Sequence, residues 1–119
     1  HENLDVIVLG DKLNKNAMLT VGAEVINKLK RVRPDLCFLG VNAIDEVNGI
    51  TDSDWEVVQV KQQMIQSSRQ VVCLTISEKL NTVQPINVAS LSEVDILITE
   101  LDPENVALEA YRKAGVTIL

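Results

Sequence analysis

Histidine is almost missing from this chain: His1 is the one occurrence, at the terminus, where it could be a tag remnant. That scarcity excludes Ser-His-Asp and Cys-His nucleophilic chemistry and histidine-ligated metal together. Aromatics are nearly as rare, with only Phe38, Trp55 and Tyr111. The core must therefore be aliphatic, and a base-stacking platform for single-stranded nucleic acid has nothing to stand on. Cysteine occurs twice, as Cys37 and Cys73, each inside an apolar run and neither in a CxxC pair. A disulfide scaffold is excluded, and reduced, buried thiols in a cytoplasmic protein are expected. No apolar run approaches the roughly 18 residues of a membrane helix, and no basic-then-apolar leader is present. Neither GxGxxG nor GxxxxGK[ST] occurs, so nucleotide cradling of those kinds is unsupported. Basic residues number 11 against 17 acidic, a net charge of −6, which argues against this chain itself gripping nucleic acid or anionic lipid.

What is present is a core-forming alternation of short elements. The 119 residues suffice for one domain, and at 46 % hydrophobic they can bury one. Leu4 to Leu9 is a β-branched run that stops at Gly10 and reads as a buried strand. Residues 11–16 read as a polar loop, and Ala17 to Thr20 as a short extended piece. From Val21 to Val32 the period turns helical, with Val21, Val25, Leu29 and Val32 on one face and Pro34 as the stop. Leu36 to Leu39 is the next strand, closed by Gly40. A loop rich in Asn42, Asp45, Asn48 and Gly49 follows. Ser53 and Glu56 have the spacing of a capping box. The helix they open runs to about Ser68, with Val57, Val60, Met64 and Ile65 turned inward. Gln70 to Thr75 and Asp95 to Thr99 are further strands, separated by a polar loop, Ser77 to Gln84. Asp102-Pro103 reads as a helix start and Gly115 as its stop, and Val116 to Leu119 begins a last strand.

Strand and helix in alternation, with continuously apolar strands, mean an α/β fold: a parallel sheet with helices on both faces. In such sheets ligands sit at the carboxyl ends of the strands. Those ends are Gly10-Asp11, Gly40-Val41-Asn42, Thr75-Ile76-Ser77 and Thr99-Glu100. Gly40 can let backbone approach a phosphate or simply make a turn. Lys79 can offer a point charge to a phosphate or sit solvated in its loop. Asp35 and Asp45 lack the partner that metal or acid/base work needs, and are read as surface or turn residues. Thr75 and Lys79 have the look of a receiver-domain pair, but the acidic pair and phospho-acceptor that a receiver needs are not there.

Several segments in one order carry a family resemblance: Gly10-Asp11-Lys12-Leu13, Val21-Gly22, Asp35-Leu36-Cys37-Phe38-Leu39-Gly40, Gly49-Ile50-Thr51, Val60 to Ile65, Ser77-Glu78-Lys79-Leu80, and Asp95 to Glu100. The chain resembles the C-terminal effector domain of DeoR-type transcriptional regulators over nearly its whole length. The resemblance implies a Rossmann-like fold akin to ribose-5-phosphate isomerases and CoA transferases. It implies a non-enzymatic sensor of a phosphorylated sugar or related metabolite, with no cofactor and no metal. Effector contacts are implied at Gly40, Asn42, Gly49, Thr51, Lys61 and Lys79. DNA is then contacted by an N-terminal winged helix-turn-helix outside these residues, and a homo-oligomer forms without membrane association. The family's opening Ser-Gly-Thr-Thr-like phosphate loop has no match, so residues 1–119 are expected to be a single, partial sensing domain. Asn42-Ala43 stand at the family's Asp-Gly, and Ile76 at its acidic position before the lysine. A sugar-phosphate isomerase-like enzyme, a pure assembly module and a Cys37/Cys73 redox sensor are the competing expectations.

Overall fold

The computed structural model describes residues 3–10 and 12–119; His1 and Asp11 lie outside the described residues. Four parallel strands form the main sheet: β3 (Leu36–Gly40), β6 (Gln70–Leu74), β8 (Ile96–Ile98) and β9 (Thr117–Ile118), adjacent in that order. Ahead of them, β1 (Lys12–Asn14) and β2 (Leu19–Val21) pair as an antiparallel hairpin. A three-stranded antiparallel sheet joins β4 (Ala43–Asp45), β5 (Gly49–Asp52) and β7 (Ile86–Ala89). The helices are α1 (Ala23–Leu29), α2 (Trp55–Ser67) and α3 (Glu109–Lys113).

The main sheet runs in chain order, and right-handed crossovers between successive parallel strands put every connection on the same face. The packing agrees. Cys37, Leu39, Val71, Cys73 and Leu97, which alternate to one face, share the principal core with Val58 and Ile65 of α2 and with Leu108 and Tyr111 near α3. On the opposite face Val72 is buried and Ile96 and Ile98 are half-buried, while Leu36, Phe38 and Leu74 remain 47 %, 58 % and 41 % exposed. The expectation of helices on both faces is therefore corrected: among the described residues α2 and α3 pack on one, and the other is only partly covered. Helix α2 also serves a second cluster, in which its Val57 and Val60 meet Val21 and Val25. Ser67 ties the two helices by donating its hydroxyl to the Leu29 carbonyl at 2.7 Å.

Other expectations move as well. Leu4–Leu9 forms no strand: Val6, Ile7 and Val8 stand exposed, because β-branched residues need a neighbouring strand and none is beside them among the described residues. The helix expected from Val21 starts at Ala23, with Val21 taken by β2 and Val32 exposed. The cap of α2 is Asp54 rather than Ser53. Its carboxylate accepts from the Glu56 and Val57 amides and from the Asn14 side chain, which fixes it at the helix start. Asp102-Pro103 makes only a turn; Asn105 caps a 3-10 turn, Val106–Leu108, that leads into α3. Gly115 does end α3, at φ 98°. The expected loops at 41–52 and 77–84 hold more structure than expected: the β4–β5 hairpin in the first and a 3-10 turn, Ser77–Lys79, in the second. Strand β7 follows the second loop, where none was expected.

Candidate functional site

The carboxyl ends of β3, β6 and β8 converge on a cleft of about 680 Å³, within the size range of small-molecule sites. Strand β3 contributes Phe38 to Gly40 and the following Val41-Asn42. Strand β6 contributes Leu74 and the following Thr75-Ile76, and β8 contributes Ile98 and the following Thr99. Lys61 and Met64 enter from α2, Lys79 from the 3-10 turn, and Asn16, Ala17 and Leu19 from the β1–β2 hairpin. The hairpin thus closes a side of the cleft that the parallel sheet alone leaves open.

Among the described residues two cations line the cleft, and they differ in kind. Lys61 is buried, and its ammonium donates to the Gly40 carbonyl at 2.9 Å and to the Asp52 carboxylate at 3.3 Å. The Asn42 side-chain amide donates to the same Asp52 oxygen at 3.3 Å, while the other oxygen accepts the Ser53 amide at 2.7 Å. Lys79 is half-buried, and its ammonium has no hydrogen-bond or ion-pair partner among the described residues. No carboxylate lines the cleft among those residues. An unpaired cation in the lining of a partly apolar hollow is suited to an anionic ligand group.

Neighbouring polar groups hold the strand ends in place. Thr75 donates its hydroxyl to the Val41 carbonyl at 3.2 Å, joining the β3 and β6 exits. The Glu100 carboxylate accepts the Ser77 amide at 2.8 Å and the Ser77 hydroxyl, joining the β6 and β8 exits. Those Ser77 bonds, the side-chain one foremost, hold the Glu100 carboxyl below its usual range.

Of the residues singled out in the sequence, Gly40, Asn42, Lys61 and Lys79 come together around this cleft. A Cβ on Gly40 meets nothing within 4 Å, so its bare backbone leaves the mouth of the cleft clear. Gly49 and Thr51 do not line it. Gly49 turns the β4–β5 hairpin at φ 70°, and a Cβ there would collide with the Ala89 carbonyl oxygen and come within 2.9 Å of the Ser90 Cα. The Thr51 hydroxyl is buried and accepts the Gln84 amide at 2.8 Å. Gly10 packs against Thr20 and Val25 rather than at the cleft, and its neighbour Asp11 is outside the described residues. Asp52 carries no signal in the sequence, since its partners Asn42 and Lys61 become its neighbours only through the fold.

The thiols are inert by position. Burial pushes the Cys37 thiol up, and burial with the nearby Cys37 pushes Cys73 up to about 12. No group of three or more His, Cys, Asp or Glu side chains among the described residues is arranged to hold a metal ion. No helix among them is long and apolar enough to cross a membrane.

Comparison with known proteins gives a consistent picture. The family model described as the DeoR C terminal sensor domain matches residues 1–101. The HTH-type transcriptional repressor GlcR of Bacillus subtilis is 35 % identical over 118 residues, covering 99 % of this chain and 45 % of the relative. The HTH-type transcriptional regulator GlpR of Haloferax volcanii is 30 % identical, covering 99 % and 46 %. The glycerol-3-phosphate regulon repressor of Haemophilus influenzae is 30 % identical over 106 residues, covering 89 % and 41 %. The chain spans less than half the length of these curated relatives.

Proposed function

We propose a function for this chain from the family to which it belongs, the DeoR C-terminal sensor domains. It is the effector-binding part of a transcriptional repressor, and its cleft takes a phosphorylated sugar or a related metabolite. The observation that carries this reading is Lys79, an unpaired cation in a strand-end cleft that no carboxylate lines among the described residues. The relatives' names add weight, since two of those compared are repressors and one of these governs a glycerol-3-phosphate regulon. The Gly40–Asn42 loop and Lys61 form the other side of the site. Gly49 and Thr51 act at one remove, through the sheet that carries Asp52.

A Rossmann-like architecture akin to ribose-5-phosphate isomerases and CoA transferases belongs to the same reading, supported by four parallel strands with the cleft at their carboxyl ends. In the full-length protein, DNA contacts fall to a winged helix-turn-helix outside these residues, in keeping with the net charge of −6 here. The protein works in the cytoplasm as a homo-oligomer, and residues 1–119 belong to its sensing domain. The effector binds one subunit arrangement more tightly and so shifts the DNA-competent population. An isomerase-like enzyme is disfavoured: the relatives compared are transcriptional regulators by name, and no carboxylate lines the cleft among the described residues to serve as the base.

The test is operator affinity of the full-length protein with and without glycerol 3-phosphate, glucose 6-phosphate, fructose 1-phosphate and related compounds. At least one compound changes that affinity by tenfold or more. No change with any compound at millimolar concentration contradicts the reading.

A further inference from the structure

We propose that Asp52 is a positioning residue of the cleft, holding the Lys61 ammonium and the Asn42 side chain in one arrangement against the exit of β3. The proposal rests on the reading of the cleft as an effector site.

Three elements meet at this carboxylate. Asp52 ends β5, Lys61 comes from α2, and the Gly40 carbonyl that Lys61 also holds ends β3. Asp52 is 4 % exposed and Lys61 8 %, so each charge depends mainly on the other and on its neighbouring donors and acceptors for compensation. A buried charge that loses its partner is strongly unfavourable, which confines the pair to this geometry. Lys61 has three N–H groups, and two have acceptors among the described residues. Its position in the cleft lining leaves the third for a ligand oxygen.

The charge arithmetic gives Asp52 a second consequence. By neutralising Lys61, it leaves Lys79 as the one uncompensated cation lining the cleft among the described residues. Lys61 and Asn42 then serve as directed donors without net charge. This division suits a polyhydroxylated ligand with a single anionic group: the anion goes to Lys79 and hydroxyls to the β3 side.

The test uses the full-length protein in two arms. In the first, without ligand, amide hydrogen exchange is followed in wild type, Asp52→Asn and the double variant Asp52→Asn/Lys61→Met. The double variant removes both charges, so it avoids the unpaired lysine that could unfold the single one. Exchange across residues 40–43 accelerates at least tenfold in a folded variant while other segments keep their rates. In the second arm, affinity for glycerol 3-phosphate, glucose 6-phosphate, fructose 1-phosphate and inorganic phosphate is measured by calorimetry. The tightest of these binds at least tenfold more weakly to the variants. Unchanged exchange over residues 40–43 overturns the proposal, as does acceleration spread over the whole chain, which marks a general fold residue. Local acceleration with affinity within twofold of wild type overturns it too. If wild type binds none of the probes, the effector reading falls, and the exchange arm still decides for Asp52.

Discussion

At the residue scale, the two glycines on either side of the β4 strand do opposite things, and substitution separates them. Gly40 sits at a strand end where an added Cβ has no contact within 4 Å. Gly40→Val therefore keeps the melting temperature or raises it, since a β-branched residue favours a strand, while effector affinity falls at least tenfold because the cleft mouth is filled. Equal affinity in the folded variant shows that ligand does not pass over Gly40. Gly49→Ala does the reverse. Its left-handed φ of 70° and the backbone of Ala89 and Ser90 leave no room for a methyl group. Denaturant unfolding shows a loss of about 2–3 kcal/mol, the scale of a strained backbone position with a steric clash. The resemblance groups these glycines together; only the tertiary contacts tell that one borders the cleft and the other holds two strands in contact.

At the element scale, α2 organises the molecule, and its start has a titratable lock. The Asn14 side chain foremost, then the Val57 and Glu56 amides, hold the Asp54 carboxyl below its usual value. A depressed folded-state pKa stabilises the fold above the ordinary carboxylate value near 4, and that contribution disappears as pH falls through the folded value. Asp54→Ala accordingly lowers the melting temperature near pH 7, and the gap to wild type narrows as pH falls below the ordinary carboxylate range. A gap that persists undiminished at low pH contradicts the role of the charged cap. Much at this scale was legible from local pattern: the aliphatic period of α2, the apolar runs of β3, β6 and β8, and Gly115 as the stop of α3. Where the sequence misled, tertiary pairing decided. Ile86–Ala89 becomes strand β7 because β5 lies beside it, and Leu4–Leu9 has strong β character without a partner strand among the described residues. Ser53 has the capping spacing, yet Asp54 wins because Asn14 arrives from a hairpin forty residues earlier. Lys79 and Gly40 were visible as strand-end residues, whereas Asp52 depended on contacts that no short spacing encodes.

At the scale of the whole molecule, a half-covered sheet carries the site. Chain-order winding puts the helices on one face and leaves Leu36, Phe38 and Leu74 exposed on the other. An apolar patch of this kind binds hydrophobic dyes. Anilinonaphthalene sulfonate fluorescence is therefore enhanced by the 119-residue chain at neutral pH and reduced in Phe38→Asp, with far-ultraviolet circular dichroism unchanged. Equal fluorescence in the two proteins contradicts an open face at Phe38. The same winding gathers three strand exits at one edge, where Thr75 and Glu100 tie neighbouring exits together and the β1–β2 hairpin forms a further wall. The scaffold thus supplies a cleft and, among the described residues, one uncompensated cation, which is what a sensor of anionic metabolites requires.

The most direct measurement of that claim is thermal unfolding of the full-length protein, wild type and Lys79→Ala, across a concentration series of phosphorylated sugars. A ligand that binds only the folded state stabilises it by about 2.7 kcal/mol at a hundredfold excess over its dissociation constant. The account predicts a saturable rise in melting temperature for at least one compound, and its loss in a Lys79→Ala protein that melts normally without ligand. No rise with any compound, or the same rise in Lys79→Ala, contradicts it.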